Sequence, residues 1–146
     1  MNGPAALLAA GAAVLFAAAV PVRAADLAVE IVDLRSDSGQ VRVALFDTPA
    51  TFPTDHGKIG ELILEPQGRA ARGTFANLAP GTYALASYHD ENGNHSFDKN
   101  ILGWPLEGFA FSSDATVSFF SPPSFARAAI IVPEGGAAVA VRMVYW

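Results

Sequence analysis

Apolar and polar positions alternate along most of this chain once its first two dozen residues are passed. Leu27, Val29 and Ile31 alternate with Ala28, Glu30 and Val32, and Val41, Val43 and Leu45 alternate with Arg42, Ala44 and Phe46. A period of two sends successive side chains to opposite faces of a strand, so each stretch predicts a strand with one apolar face. Asp37-Ser38-Gly39 between them carries turn chemistry, which predicts that the two strands form a hairpin. Residues 47–60 are rich in Pro, Thr, Asp and Gly and read as a loop. Leu62 and Leu64, flanked by Glu61 and Glu65, mark a short strand, and residues 69–78 mark another, with Thr74 and Phe75 as its best β formers. Ala79-Pro80-Gly81-Thr82 predicts a type II turn, with Pro second and Gly third. Residues 82–89 are apolar on both faces, as suits the central strand of a sandwich.

Residues 90–123 break the pattern. So long a connection predicts either a short strand near residues 116–120 or a functional segment. Residues 128–132 resume as a strand, and residues 137–146 close the chain with Val139, Val141, Met143 and Tyr145 on one face. About seven short strands with turn signals between them, and no helical period, predict an all-β fold: a single antiparallel β-sandwich. A membrane barrel is the rival architecture. Arg42, Arg142 and the Glu61–Glu65 pair would interrupt its lipid-facing band, and the strands are short and unequal.

The beginning of the chain reads differently. No charged side chain occurs from Gly3 to Val22, and Val22-Arg23-Ala24 then supplies a small-residue cleavage signature. This predicts a signal peptide over residues 1–24 and one β-sandwich domain over residues 25–146, in a periplasmic or secreted protein. The apolar run is nearly long enough for a membrane anchor, but Pro4 and Pro21 bracket it and the cleavage site follows at once. No basic residue precedes the run, so only the terminal amine supplies positive charge there. Cleavage removes Arg23 and no acidic side chain, which takes the formal net charge from −5 to −6. With no basic cluster, neither nucleic acid nor an anionic membrane surface is an expected partner, and the mature chain has no expected integral span. Cysteine is absent, so disulfides, thiolate metal sites and a cysteine nucleophile are excluded.

One loop carries candidate chemistry. Asp90, Asn92, Asn94, Ser96 and Asp98 place oxygen side chains at loop positions 1, 3, 5, 7 and 9, resembling the front of an EF-hand-type calcium loop. Alternate positions let successive oxygens turn onto one hard cation, with Asp90, Asn92, Asn94 and Asp98 as the metal candidates. His95 stands where that template wants Gly, and Ile101 where it wants a bidentate Glu, so any calcium site should be weak, in the roughly millimolar range. The plain alternative is an Asn-Gly turn capped by its own Asx side chains. His89 and His95, without a clear third ligand, make a poor transition-metal site. A second cluster, Trp104, Phe109, Phe111 and Phe125, lies among Gly and Pro and is a candidate binding surface; its alternative is an aromatic plug closing one end of the sandwich.

The strings at residues 39–47, 78–85, 89–94, 103–112 and 122–125 occur in an order that resembles the exported bacterial family known as domain of unknown function 2141. The resemblance spans roughly residues 26–145 and implies an exported domain, transthyretin-like or immunoglobulin-like, with no activity or catalytic residues to transfer. That family continues its acidic loop with Gly where this chain has His95, a departure that weakens a metal site here. The serine-hydrolase elbow, the zinc-protease helix motif, the P-loop and the dinucleotide fingerprint are all missing. The expected function is therefore a non-catalytic binding or structural module of the cell envelope, requiring no cofactor, whose partner is an envelope protein or a small ligand. The alternatives are a calcium-stabilised module and an undescribed hydrolase using His89 or His95.

Overall fold

A computed structural model describes residues 23–119 and 121–146. The apolar run of the expected signal peptide lies outside the described residues. Eight strands form the framework: β1 (Ala25–Val32), β2 (Gln40–Phe46), β3 (Gly60–Leu64), β4 (Ala71–Leu78), β5 (Gly81–Asp90), β6 (Phe109–Phe111), β7 (Ala129–Val132) and β8 (Ala137–Arg142). The helical content described is one turn, Phe125–Ala128, and two 3-10 turns, Asp55–Gly57 and Ser112–Asp114. No helix among the described residues is long and apolar enough to cross a membrane.

The strands form two sheets in a sandwich-like arrangement. One has the order β4-β1-β8; the other has β3-β2-β5-β6, with β7 also paired to β5. Leu27, Val29 and Ile31 on β1 meet Val41, Val43 and Leu45 on β2 and Leu85 on β5 in one buried cluster. The alternating residues thus do what their period demands, since removing both apolar faces from water requires that the sheets meet. Ala25 opens β1 and is itself buried.

Four expectations about connectivity are corrected. β1 and β2 do not form a hairpin: β1 pairs with β4 and β8, whereas β2 pairs with β3 and β5. Residues 33–39 carry the chain from one sheet to the other, with Leu34 buried at the crossing. Asp37 is spent elsewhere, its carboxylate accepting the backbone N–H groups of Gly68 (2.9 Å) and Arg69 (2.6 Å). Second, the sandwich is not purely antiparallel, because β8 runs parallel to β1 from Leu27↔Ala137 to Val32↔Arg142. Third, Gly81 opens β5 without a positive φ, so the type II turn is not made. Asn77, at a bulge in β4, takes φ 59° and donates its N–H to Asp26, and the chain passes to the other sheet through Ala79 and Pro80. Tyr83 fastens this crossing by donating its hydroxyl to the Ala79 carbonyl at 2.6 Å, a tie comparable to a tyrosine corner. Fourth, the short strand described within residues 90–123 is β6, whereas residues 116–119 of the expected stretch 116–120 hold only the isolated Ser118↔Ser121 bridge, and residue 120 lies outside the described residues.

β6 and β7 lie along the same edge of β5. β6 faces residues 86–88 and β7 faces residues 81–84, both antiparallel. They are in effect one edge strand interrupted opposite Leu85. The interruption would strand the Leu85 N–H, but Ser112 Oγ accepts it at 2.8 Å and donates to the Ala128 carbonyl. The chain end then stitches the sheets together: Met143 N–H bonds Val32 O (2.9 Å), while Val144 and Phe109 exchange two backbone bonds at 2.9 and 3.0 Å.

Candidate functional site

The outer face of the five-stranded sheet is where the long loops gather. Period two turns Arg42, Ala44 and Phe46 outward on β2, and Ala84, Ala86 and Tyr88 outward on β5, in the register Arg42↔Tyr88, Ala44↔Ala86 and Phe46↔Ala84. β6 adds Phe109 beside Tyr88 and Phe111 beside Ala86. Small side chains at Ala44 and Ala86 leave a trough, and the aromatic neighbours raise its walls. The result is a groove of about 750 Å³, lined also by Pro53, Phe97, Pro105, Val117, Pro122 and Trp146. Its size suits a small ligand.

All four expected aromatic residues belong to one contiguous ring network, and Phe109 and Phe111 among them line the groove. Phe125 meets Phe52 (5.8 Å between centroids), Phe52 meets Phe111 (6.0 Å), and Phe111 meets Phe109 (6.3 Å). Phe109 then meets Trp146 (5.6 Å), and Trp146 meets Trp104 (5.0 Å). Their exposure differs: Phe109 is buried, Phe111 and Phe125 are half-buried, and Trp104 is exposed. Phe52, Phe97 and Trp146 belong to the same network and were not singled out from the sequence. Phe97 sits inside the acidic loop, and its ring stacks at a tilt on Tyr88, 5.6 Å away.

The polar rim is mostly self-paired. Lys58 reaches Asp55 at 2.7 Å and Glu61 at 3.2 Å. These contacts, Asp55 first, raise the lysine pKa and hold the Asp55 carboxyl below its ordinary range. Arg42 contacts Glu61 (3.4 Å) and His95 Nδ1 (2.6 Å) and lies 3.8 Å from Asp90. Lys99 lies over the Phe97 ring at 5.4 Å and is exposed, with no ion pair among the described residues. Burial raises the Tyr88 phenol.

The acidic loop folds back on itself at one end of the groove. Asp90 is fully buried; its Oδ1 accepts the Asn94 N–H (3.1 Å) and its Oδ2 the His95 N–H (2.9 Å). Asn92 Oδ1 accepts the Asn94 N–H (3.0 Å), and Asn94 Oδ1 accepts the Ser96 N–H (2.9 Å). The amide groups of Asn92 and Asn94 both donate to Asp98, at 2.7 and 2.8 Å. The four expected metal candidates are therefore brought together. His95 adopts φ 65°, the left-handed turn for which the calcium template uses Gly, so the departure in residue type does not prevent the turn.

Sequence reading missed Glu107. It is 5% exposed, its Oε2 accepts the Asp98 N–H at 3.1 Å, and its Oε1 is buried without a hydrogen-bond partner among the described residues. Burial raises the pKa of this carboxyl; the hydrogen bond from the Asp98 N–H opposes the rise, and the charges of Asp98, Asp90 and Glu91 add to it. Glu91 is lowered, chiefly by its hydrogen bond from Arg35. No three His, Cys, Asp or Glu side chains among the described residues already cluster as a metal site. Asn94 joins the two aspartates instead, donating its backbone N–H to Asp90 and its amide to Asp98.

His89 lies away from this surface. Its side chain is fully buried, with Nε2 2.7 Å from the Ser38 carbonyl and Nδ1 2.6 Å from the Tyr145 hydroxyl. A carbonyl only accepts, so Nε2 carries a proton, and in the neutral imidazole Nδ1 then accepts from Tyr145. Gly39 lets this corner close: it has φ 68°, and a Cβ there would come within 2.0 Å of the Asp90 carbonyl oxygen. His56 occupies an exposed 3-10 turn.

No curated protein and no solved structure matches the chain. A family model described as an uncharacterized protein conserved in bacteria (DUF2141) matches residues 29–140, the stretch from β1 through most of β8, and the chain belongs to that family.

Proposed function

We propose that this protein is an exported, non-catalytic binding module that holds a small apolar ligand, anionic at one end, in the groove on its five-stranded sheet. The observation that carries the reading is the groove itself: about 750 Å³, floored by Ala44 and Ala86 and walled by Phe46, Phe109, Phe111 and Tyr88. An apolar concave surface with few polar groups is the usual form of a small-molecule site. Arg42 and Lys58 are largely neutralised by carboxylates, so Lys99 at the mouth is the cation best placed to meet an anionic group. A periplasmic or secreted location is supported by the leader-like run and the Val-x-Ala site. A non-catalytic role is supported by the missing catalytic motifs and by the commitment of His89 to Ser38 and Tyr145.

Within this reading the fold is of transthyretin-like type. An immunoglobulin sheet keeps its first two strands together, whereas β1 and β2 here occupy different sheets. A calcium-stabilised module is a second reading. It is favoured by the way Asp90 receives the backbone of Asn94 and His95, and it is compatible with the first.

The test uses anilinonaphthalene sulfonate, an apolar probe with one anionic end. The folded protein should bind it saturably, with enhanced fluorescence. Ala86→Leu, which fills the floor, should abolish binding, and Lys99→Glu should weaken it about tenfold. Equal binding by wild type and both variants, or no binding by wild type, overturns the proposal.

A further inference from the structure

We propose that the loop opening at Asp90 is a calcium site completed by Glu107, with Asp90, Asn92, Asn94 and Asp98 supplying its other side-chain oxygens. The loop alone does not require this. Asx side chains that cap their own backbone account for Asp90, Asn92 and Asn94 as a purely structural turn. Glu107 is what such a turn leaves unexplained. A carboxylate that is 5% exposed, with one oxygen bonded to the Asp98 N–H and the other sealed without a partner among the described residues, stands against a loop that already holds two aspartates. Burying an unpaired carboxylate oxygen beside like charges is costly, and a cation shared with those aspartates removes the cost.

The chemistry selects the ion. Every candidate donor is a carboxylate or amide oxygen, which suits a hard cation and offers nothing to a thiophilic one. In the EF-hand loop a bidentate Glu at position 12 closes the shell. Ile101 occupies that place here, and Glu107, arriving on the far side of the Gly103–Leu106 excursion, supplies the missing carboxylate. The irregular spacing and mixed side chains favour calcium, which tolerates variable geometry, over magnesium, which demands a near-ideal octahedron. The Asn92 and Asn94 amides that donate to Asp98 occupy the position a cation would share, so binding exchanges those donors for the ion. Arg42, 3.8 Å from Asp90, offsets part of the negative charge and keeps the affinity modest. Phe97 and His95 line the groove from this same loop, so the ion would also fix one groove wall. The inference does not depend on the groove holding a ligand.

The experiment compares chelator-treated wild type with Glu107→Gln, Asp98→Asn and, as a distant control, Glu65→Gln. Melting temperature and titration calorimetry are followed as calcium chloride or magnesium chloride rises to about 10 mM, above the roughly 0.1–1 mM range of weak extracellular sites. Wild type and Glu65→Gln should bind one calcium saturably and melt higher with it, with little response to magnesium. Glu107→Gln keeps an oxygen for the Asp98 N–H and should fold, yet bind calcium at least about tenfold more weakly. Should Glu107→Gln fail to fold by circular dichroism, Asp98→Asn carries the same comparison. No saturable calcium binding by wild type, an equal response to magnesium, or wild-type affinity in whichever variant folds overturns the proposal.

Discussion

The hydroxyl of Ser112 accepts the Leu85 N–H and donates to the Ala128 carbonyl at the point where β6 gives way to β7. All three residues are buried there. Ser112→Ala leaves two buried backbone groups unsatisfied, because water has no access to replace the hydroxyl. The expected loss is about 1–3 kcal/mol, read as a lower urea midpoint with an unchanged slope. Ser113→Ala, whose hydroxyl bonds Ala129 O from an exposed position, is the control and should cost far less. Equal losses in the two variants would mean that the gap opposite Leu85 does not depend on this hydroxyl. Tyr145 is the second residue with a readable contribution. Burial, first of all, raises its phenol above the ordinary value, with Glu91 adding to the rise and Arg35 opposing it. The folded chain then keeps this proton after the unfolded chain has lost it. Stability from this group is therefore complete below about pH 10 and declines as pH rises through the folded value. Tyr88 is shifted in the same direction by burial. Tyr145→Phe should lower stability at neutral pH by losing the bond to His89, and should flatten, without abolishing, the decline between about pH 9 and 11. Urea midpoints across that range check it; parallel slopes for the two proteins would refute the linkage.

At the scale of elements, what could be read from the sequence was the facing of each strand, and what could not was its partner. Leu27, Val29 and Ile31 point inward as their spacing requires, and so do Val41, Val43 and Leu45. Two such strands joined by Asp-Ser-Gly satisfy a hairpin and an intersheet crossing equally well by pattern alone. The choice is made by contacts far away: Asp37 capping Gly68 and Arg69, and β8 arriving parallel to β1 from the other end of the chain. The same limit explains Gly81. Pro-Gly is strong turn chemistry, but β4 stays paired to β1 as far as Leu78 and the chain then crosses to the other sheet, where Gly81 begins β5. β6 is three residues long, shorter than any window in which alternation can be detected, and its strand character comes from pairing with β5 and with Val144. The candidate site was half visible. Asp90 to Asp98 announces itself by alternating oxygens within nine consecutive residues. Glu107 stands nine residues further on in an aromatic, glycine-rich stretch, and only its burial against Asp98 connects it to the loop. The groove was legible as a set of aromatics but not as a cavity. Its floor is made by two alanines that register brings opposite each other, and alanine carries no signal of that kind.

The whole molecule bears on the expected cleavage after Ala24. Ala25 is 3% exposed, pairs with Leu78 and opens β1, while Arg23 and Ala24 before it are exposed. A protease must bind its substrate as an accessible segment, so a cut inside β1 would require the sandwich to open. A cut after Ala24 leaves every described strand intact. It also puts the new amine on Ala25, the residue that pairs with Leu78 at the start of β1. Asp26 next to it is exposed and uses its carboxylate to accept the Asn77 N–H, so the fold engages the chain from its second residue after the expected cut. Protein produced in a bacterium with an intact export pathway should therefore be recovered from the periplasm or medium with Ala-Asp-Leu at its N-terminus, as read by intact mass and terminal sequencing. A variant with Ala24→Leu, which spoils the small residue the signal peptidase needs, should accumulate unprocessed. Retention of full-length wild type in the cytoplasm would remove the export reading, and a mature terminus beyond Ala28 would mean that β1, the middle strand of its sheet, is not required for the fold.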